Sequence, residues 1–403
     1  MTKEKKIIIK NFFSNKFSRK KNILLDKIFD EINQNTKKEK NVFYSLNKNF
    51  KLNFKTREFK KYKKSKLIVI IGMGGSILGS EAIYEFLKHK IKKDLIFLNN
   101  LNSDEVLKLK KNKNFQKGLF ILISKSGNTL ETLSNVNLLN NINFNSKNTI
   151  VITEKKKENV LKLFAEKRKI PIIEHKKYIG GRYSVLSEVG MLPAFLMGLN
   201  FKKINQGSLN SFKGIKKDFL LNSADQLKEI FISKKINSII FFNYSPQLNS
   251  FIFWCQQLLA ESLGKNGKGL MPVVSTAPKD HHSLLQLYLD GPKDKIFYVV
   301  SSKSIKNLQI KKNFFSNKYD YLKNKKLEKI ILSQRDAFVS ILKKKKIPYR
   351  EIHINKFSEE VLGELFSFFI IETFLVAKLI NVNPFNQPAV ESVKIKTRKN
   401  LSR

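Results

Sequence analysis

A run of hydroxyl side chains interrupts the chain where an apolar, β-prone stretch (118–123) ends and apolar residues begin to recur at helical spacing. Ser124, Lys125, Ser126 and Thr129 fall within the stretch ISKSGNTLET. Short hydroxyls cap helices, but three of them exceed what one cap requires. Together with exposed backbone N–H groups, the positive end of a helix and one lysine, they predict a site for a phosphate dianion. The predicted ligand is a phosphomonoester.

A glycine cluster, IGMGGSILGSEA (71–82), also follows an apolar run and opens a helical one. Its spacing is not G-x-G-x-x-G, the next apolar run ends in asparagines rather than an acid, and no Walker A motif is present. Gly75 and Ser76 would let backbone N–H groups approach an anion closely. Glycines at a strand–helix turn also serve packing alone, and both interpretations remain open at this stage.

A candidate proton-transfer group lies in QQLLAESLGK, where Gln257 and Glu261 are one helical turn apart on one face. Gly264 is the expected C-cap, which places Glu261 in the last turn, where the helix dipole disfavours a carboxylate. Such a carboxylate is suited to act as a base. The alternative is a surface glutamate paired with Lys265 at i,i+4 spacing.

A pair of histidines occurs in APKDHHSLLQLYLDG, where Asp280 is expected to cap a helix that has His281 and His282 in its first turn. Adjacent helical residues point about 100° apart, so the pair does not suit a metal ion. The remaining histidines are scattered and no H-E-x-x-H motif occurs. We therefore predict proton transfer by one of these histidines, and no metal.

The apolar runs that must position these groups alternate with helical stretches, which predicts βαβ units and parallel sheets. The predicted strands are LIVII, DLIFL, LFILI, TIVIT, IPII, INSIIFFN, KIFYVV and YREIHI. Helices are expected over 187–199, 248–263 and 359–380. With 403 residues, the chain is expected to form a mostly helical N-terminal segment (1–60) and two α/β domains (61–205 and 206–403).

The bulk composition limits the class of protein. The N-terminus has no secretory pattern, no run of 18 apolar residues occurs, and the lone Cys255 fits a reducing compartment, so we expect a cytoplasmic protein without a membrane span. The net charge of +44 has two interpretations. It is either a nucleic-acid surface or compositional drift. Drift is favoured because the cations are nearly all lysine, spread along the whole chain, and arginine, which reads bases, is scarce.

Six stretches together give the chain a family resemblance. IGMGGSILGSEA, ISKSGNTLET, YIGGRYSVLSEVGMLPAFLMG, QLLAESLGKNGKG, STAPKDHHSLLQLYLDGPKDK and NPFNQPAVESVK occur in the order found in glucose-6-phosphate isomerases, over roughly residues 65–394. The resemblance implies an α/β fold of two sugar-isomerase (SIS) domains, each a doubly wound parallel sheet flanked by helices. It also implies a homodimer with shared active sites.

The resemblance assigns roles position by position. It implies that Glu261 is the catalytic base, Arg182 stabilises the enediolate, and His282, rather than His281, opens the sugar ring. Lys394 and Gln387 match residues near the ring oxygen and the phosphate, and Gln257 precedes the base by one turn. The phosphate and substrate loops comprise Gly75, Ser76, Ser124, Lys125, Ser126 and Thr129, with Glu131 in support. Asn386 and Ala389 depart from the family's usual NPFDQPGVE-like text.

The implied reaction is reversible isomerisation of glucose 6-phosphate and fructose 6-phosphate, in glycolysis and gluconeogenesis, through ring opening and a cis-enediolate. The family requires neither metal nor cofactor, and no specific nucleic-acid partner is expected. One alternative is another SIS isomerase that also accepts mannose 6-phosphate. Another is a noncatalytic sugar-phosphate sensor that binds nucleic acid through its lysines. A sensor would not need Glu261, Arg182, His282 and Lys394 together.

Overall fold

Two five-stranded sheets form the framework of the protein. The structure, a computed structural model, describes residues 5–13 and 23–402. Its strands are β1 (Ile7–Phe12), β2 (Leu67–Ile71), β3 (Asp94–Leu98), β4 (Leu119–Ile123), β5 (Thr149–Thr153), β6 (Ile172–Glu174), β7 (Ser238–Asn243), β8 (Met271–Thr276), β9 (Lys295–Ser302) and β10 (Tyr349–Ile354). The predicted α/β class, with parallel sheets flanked by helices, is confirmed.

Helices cover both faces of the sheets. They are α1 (Ile23–Lys37), α2 (Thr56–Phe59), α3 (Leu78–Leu87), α4 (Ser103–Lys110), α5 (Leu130–Leu138), α6 (Val160–Lys167), α7 (Glu188–Leu196), α8 (Phe201–Ser208), α9 (Gly214–Ser233), α10 (Asn249–Leu263), α11 (Leu285–Asp290), α12 (Leu327–Lys344), α13 (Glu359–Leu379) and α14 (Ala389–Leu401). Within the described ranges, no helix is long and apolar enough to cross a bilayer.

Four parallel strands have the same order in both sheets, and the fifth strand differs, being parallel in the first sheet (β6) and antiparallel in the second (β1). The first has the order β3-β2-β4-β5-β6 with all neighbours parallel, and the second has the order β1-β10-β9-β7-β8. In each sheet the first parallel strand, β2 or β7, lies between the two strands that follow it in sequence. The chain therefore reverses its winding direction beside β2 and beside β7. Ligands of such sheets bind at the carboxyl ends of the strands at this switch point.

A single hydrophobic core joins the inner faces of both sheets. Ile68 and Ile70 of β2 and Phe241 of β7 belong to the same buried cluster as α13. The alternate residues of β2, Leu67 and Val69, face a second cluster under α4–α6 instead. This alternation follows from the two-residue period of a strand, and it explains why the strands buried on both faces appear as continuous apolar runs.

The N-terminal segment differs from the prediction. Residues 7–12 were expected to be part of a mostly helical segment, but they form β1, which pairs antiparallel with β10 at the edge of the second sheet. A buried side-chain network anchors the strand. The Arg350 guanidinium donates to Asn11 of β1 at 2.8 Å and to both carboxylate oxygens of Glu372 in α13, each at 2.8 Å. The 1–4 and 14–22 parts of this segment lie outside the described residues.

Further elements, among them α8, α9 and β8, were not predicted. The polar stretch near 202–224 was expected to separate the halves, but it forms α8 and most of α9. The strand β8 was missed because MPVVST begins with Met271, which is 69% exposed, and contains a proline. The proposed boundaries of the two domains, 61–205 and 206–403, remain a prediction.

Candidate active site

The glycine loop and the serine loop meet at the switch point of the first sheet. The glycine loop (72–76) follows β2 and the serine loop (124–129) follows β4, the strand that pairs directly with β2. The backbones are close: a methyl group added at Gly72 would lie 3.0 Å from the carbonyl oxygen of Ile123. The two loops that were predicted to bind phosphate are therefore neighbours.

The glycines make room for two other parts of the site. Gly74 has a φ of +53°, and a side chain there would meet the Gln257 amide nitrogen at 2.8 Å. A methyl group at Gly75 would lie 2.1 Å from the carbonyl carbon of Gly181 and 2.5 Å from the backbone nitrogen of Arg182. Of the two interpretations of this cluster, packing is confirmed at these positions, and the glycines pack against the candidate catalytic residues.

In the serine loop the hydroxyls bond to one another. The hydroxyl of buried Ser124 lies 2.8 Å from that of Thr129 and accepts the backbone N–H of Gly127 at 3.1 Å. Ser126 is exposed, and its hydroxyl accepts the N–H of Asn128 at 3.3 Å. Thr129 is the N-cap residue of α5 but makes no side-chain cap bond, so the predicted capping is wrong for Thr129 because its hydroxyl serves Ser124. Glu131 lies in the first turn of α5.

The ammonium group of Lys125, which was predicted to be part of the phosphate site, is bonded to the protein backbone. It donates to the carbonyl oxygens of Lys177 at 2.8 Å and Ile179 at 2.9 Å. The carboxylate of Glu154 lies 3.7 Å away. Burial lowers the pKa of Lys125, and the charge of Glu154 opposes that effect. Carbonyl acceptors carry no sequence signal, which is why this arrangement was not predicted.

Arg182 and Glu261 form the centre of the site. Arg182 is buried in the turn formed by Gly181–Leu186, and its Nη1 lies 3.0 Å from Glu261 Oε2. The other carboxylate oxygen of Glu261 accepts from Gln257 Nε2 at 3.0 Å, across one turn of α10. The predicted alternative, a surface pair of Glu261 with Lys265, is wrong, because the Lys265 ammonium donates to the carbonyls of Ser262 and Asn383 at 2.8 and 2.6 Å.

Residues 383–387, near the C-terminus, pack against the Arg182 side chain. Arg182 Nη1 also donates to Gln387 Oε1 at 3.0 Å, and Nη2 donates to the carbonyl oxygens of Pro384 and, at 3.3 Å, Asn386. Lys265 holds the same segment through Asn383. Burial and the nearby charge of Arg182 lower the pKa of Lys265 to about 8. Gln387 therefore shares with Glu261 the Nη1 atom of Arg182.

The two histidines have different environments. His281 is packed inward: its Nε2 lies 2.7 Å from the Tyr244 hydroxyl, and its ring stacks on Phe242. His282 is exposed, and its role in ring opening stays a prediction. The predicted helix start is wrong. Asp280 lies inside a 3₁₀ turn, Lys279–His282, and accepts from Ser275 and the Thr276 N–H at 2.7 Å each.

Lys394 lies on α14, where it pairs with Glu391 at 2.8 Å on the exposed face of the helix. The helix passes the serine loop, since Arg398 Nη2 lies 3.5 Å from the carbonyl oxygen of Asn128. Among the contacts of residues 5–13 and 23–402, none joins His282 or Lys394 to Glu261. The structure thus brings together Arg182, Gln257, Glu261 and Gln387, and leaves these two residues outside that group.

The donor groups of the site do not form a metal centre. In the part of the chain that the structure describes, no cluster of His, Cys, Asp and Glu side chains is arranged to hold a metal ion. The site instead offers one carboxylate beside one guanidinium, two amides and a neighbouring loop rich in hydroxyls. This set can bind an anionic, hydroxylated ligand and move a proton.

The family model described as phosphoglucose isomerase matches residues 28–401. The chain belongs to this family. A glucose-6-phosphate isomerase of Methanocaldococcus jannaschii is 33% identical over 336 residues, 81% of this chain and 82% of that protein. One from Mycoplasmopsis synoviae is 36% identical over 352 residues, 82% of this chain and 81% of that protein. The resemblance seen in the sequence motifs is confirmed.

Solved structures agree on the phosphoglucose isomerase fold. A hypothetical protein from Thermus thermophilus superposes with a TM-score of 0.82 at 26% identity, over 94% of this chain and 95% of that one. A glucose-6-phosphate isomerase from Chlamydia trachomatis has a TM-score of 0.72 at 19% identity, over 86% of this chain and 72% of that one. At this identity, the second comparison supports the fold alone.

Several residues of this phosphoglucose isomerase site were missed. Ser262, directly after Glu261, accepts from Arg182 Nε at 2.9 Å and lies 2.9 Å from the Tyr183 hydroxyl. Behind the serine loop, the Asn159 amide donates to the Thr153 hydroxyl at 2.6 Å and to the Glu154 carbonyl at 2.8 Å. Ser262 and Tyr183 each follow a residue that the family motifs assign, and this position could have indicated them. Asn159 lies outside the motifs, so nothing in the sequence indicated it.

Proposed function

We propose that this site interconverts glucose 6-phosphate and fructose 6-phosphate, the reaction for which the family is named. The observation that carries the proposal is the contact between Arg182 and Glu261 inside a frame of two glutamine amides. An aldose–ketose isomerisation needs one base that moves a proton between adjacent carbons and one fixed cation for the oxyanion that forms. Glu261 and Arg182 are in contact with each other, and they lie beside the glycine loop, which neighbours the serine loop.

The phosphate is expected at the serine loop. Ser124, Ser126 and Thr129, with Ser76 of the glycine loop, supply hydroxyls at the carboxyl ends of two neighbouring parallel strands. The backbone N–H groups at the start of α5, which directly follows the serine loop, favour an anion. The bond between the Ser124 and Thr129 hydroxyls would be exchanged for bonds to the phosphate oxygens.

Proton transfer is assigned to Glu261. In the open-chain sugar, the base takes the proton from C2 of the aldose and delivers it to C1, with the reverse in the other direction. The carboxylate is partly exposed, so the sugar carbons can approach it. Gln257 and Arg182 each hold one of its oxygens, which fixes the orientation of the carboxylate before the sugar arrives.

Stabilisation of the cis-enediolate is assigned to Arg182. Its guanidinium keeps its charge and is held by acceptors on three sides, so it need not reorganise when negative charge develops on the sugar oxygens. The free-energy cost of ordering the Arg182 side chain is met when the protein folds and not during the reaction. No metal or redox group is required for this chemistry.

Ring opening is assigned to His282 and Lys394 within a homodimer. Ring opening needs one proton given to the ring oxygen and one removed from the anomeric hydroxyl. His282 is exposed and not in contact with Glu261, and a second copy related by a two-fold axis could receive it in its own site. A cytoplasmic location is part of the same proposal.

The test is a coupled assay of fructose 6-phosphate conversion to glucose 6-phosphate by the purified protein. Turnover that is lost on Arg182→Met substitution supports the proposal. Absence of conversion in either direction by a folded preparation would overturn it. Mannose 6-phosphate assayed in parallel measures the breadth of the substrate range.

A further inference from the structure

The segment that leads into Arg182 is held by a side chain from the serine loop. Lys125 Nζ donates to the carbonyl oxygens of Lys177 and Ile179, and Ile179 is three residues before Arg182. We call Lys125, with these two carbonyls and the carboxylate of Glu154, the lysine clamp. The carbonyls belong to the connection between β6 and the 3₁₀ turn that carries Arg182.

The serine loop, from which Lys125 projects, is held by several contacts. The N–H of Glu154 donates to the Lys125 carbonyl at 3.1 Å, and the Thr153 hydroxyl donates to the Ser124 carbonyl at 2.6 Å. Gly127 packs directly on Asn159, since a methyl group there would lie 1.6 Å from its amide oxygen. The serine loop is thus fixed to the end of β5, and Lys125 projects from this fixed support.

The Arg182 turn is confined on its other side by the glycine loop. The Ser184 hydroxyl donates to the Gly75 carbonyl at 3.1 Å, and Gly75 has no room for a side chain against Gly181. Upstream, Lys176 forms an ion pair with the buried Glu188. The position of the Arg182 backbone therefore depends on contacts made by the segments that flank it, and Lys125 links those segments to the predicted phosphate site.

We propose that Lys125 is a positioning residue whose ammonium group couples the phosphate-binding loop to Arg182. The clamp joins the serine loop to the turn that carries Arg182. A phosphate bound at the serine loop then fixes the position of the guanidinium relative to the reacting carbons of the sugar. In this role the ammonium group of Lys125 bonds to backbone carbonyl oxygens and does not bind the phosphate. The inference rests on the proposed function.

Removing the ammonium should reduce turnover rather than phosphate affinity. Hydrogen bonds from a charged donor are the stronger class, and loss of the two should lower kcat by roughly 10- to 100-fold in Lys125→Met. Lys125→Arg should recover at least part of this loss, because a guanidinium can also donate to two carbonyls. The affinity for inorganic phosphate, measured by calorimetry, should change by less than about threefold.

Lys156→Met is the matched control. Lys156 also pairs with Glu154, at 2.9 Å, but its side chain is 62% exposed and makes no bond to the 177–179 carbonyls. The substitution removes the same charge from the same carboxylate while it leaves the lysine clamp intact. It should keep kcat within about twofold of the wild-type value. An equal fall in kcat in both variants would show that charge near the loop, not the clamp, is responsible, and would overturn the proposal.

Amide hydrogen exchange of the ligand-free protein tests the clamp without reference to activity. The Ile179 N–H donates to Lys176 and the Tyr183 N–H to Gly180. Peptides covering 176–184 should exchange faster in Lys125→Met than in wild type, and at the wild-type rate in Lys156→Met. Unchanged exchange in Lys125→Met, or a weaker phosphate affinity with unchanged kcat, would overturn the proposal. A wild-type protein without isomerase activity would instead overturn the proposed function, while the exchange result would still report on the clamp.

Discussion

Glu261 and Arg182 are in direct contact, with Oε2 of the carboxylate 3.0 Å from Nη1 of the guanidinium. The group proposed to move the proton thus touches the group proposed to stabilise the resulting anion. Each is also held from outside the pair, Glu261 by Gln257 and Arg182 by Ser262 and Gln387.

Glu261→Gln tests the base. The amide keeps the shape of the side chain and can still accept from Arg182, but it cannot take a proton from carbon. Turnover should fall by at least ~10³-fold with substrate affinity largely retained. Exchange of the C2 hydrogen with solvent deuterium, followed by NMR, measures the same step directly. Glu166→Gln, the same change at an exposed glutamate of α6, is the control, and retention of more than a tenth of wild-type turnover in Glu261→Gln would place the base elsewhere.

The double substitution Ser124→Ala and Thr129→Ala tests the serine loop. It should raise KM for phosphorylated sugars, because each hydrogen bond to the dianion contributes about 1.5–3 kcal/mol. Any weak turnover of free sugar should be unaffected. Ser333→Ala, which removes an exposed hydroxyl bonded within α12, serves as the control. If phosphorylated and free sugars lose activity equally, the hydroxyls are structural.

A buried histidine predicts how stability depends on pH. His175 is buried, and burial together with the charge of Lys125 lowers its pKa to about 4. Its pKa in the unfolded chain is about 6.5, so between these values the unfolded chain binds the proton and the folded one does not. The stability contributed by His175 is therefore present above pH 6.5 and is lost as the pH falls toward 4.

Urea unfolding at pH 7 and pH 5 measures this effect. The wild type should lose about 2 kcal/mol between the two pH values through His175. His175→Gln should be destabilised at pH 7 but lose less than the wild type on acidification. His282→Gln, a change at an exposed ring, should behave as the wild type in this unfolding measurement. The same loss in His175→Gln as in the wild type would show that other groups cause the acid sensitivity.

The net charge of +44 should act on the kinetics of association with substrate. A field of this sign attracts a dianion and is screened within about 10 Å at 0.1 M salt. The ratio kcat/KM should fall smoothly as salt is added, and nucleic acids should bind weakly and without sequence preference. Filter binding that shows tight, sequence-dependent association at physiological salt would restore the nucleic-acid hypothesis.

Mixed dimers test whether His282 serves the partner's site. Chains carrying Glu261→Gln and chains carrying His282→Ala are each expected to be inactive. If the sites are shared across a two-fold axis, each mixed dimer contains one intact site and one doubly altered site, and random pairing should restore about a quarter of wild-type activity. Mixtures that remain inactive, with mixed dimers confirmed by native mass spectrometry, would show that each site is built within one chain.

The central strands of the first sheet, β2, β4 and β5, could be predicted from the sequence because they are buried along their whole length, so each is a largely apolar run. Glu261 and Gln257 could be placed on one helix face by their spacing alone. The strand β1 could not be predicted, because its partner β10 lies near the other end of the chain and short polar-flanked runs give no sign of long-range pairing. Lys125 could not be placed either, because its partners are backbone carbonyls, which every residue type supplies.

The pairing of β1 with β10 has a consequence for synthesis of the chain. All five strands of the first sheet lie within residues 67–174, so that sheet can assemble soon after its last strand leaves the ribosome. Strand β1, which is made before that sheet, remains without its partner until Ile354 has been added, and Asn11 meets Arg350 only then. Closing this contact is a long-range step with a large loop entropy. A strand synthesised before the whole first sheet is therefore expected to pair after that sheet has formed.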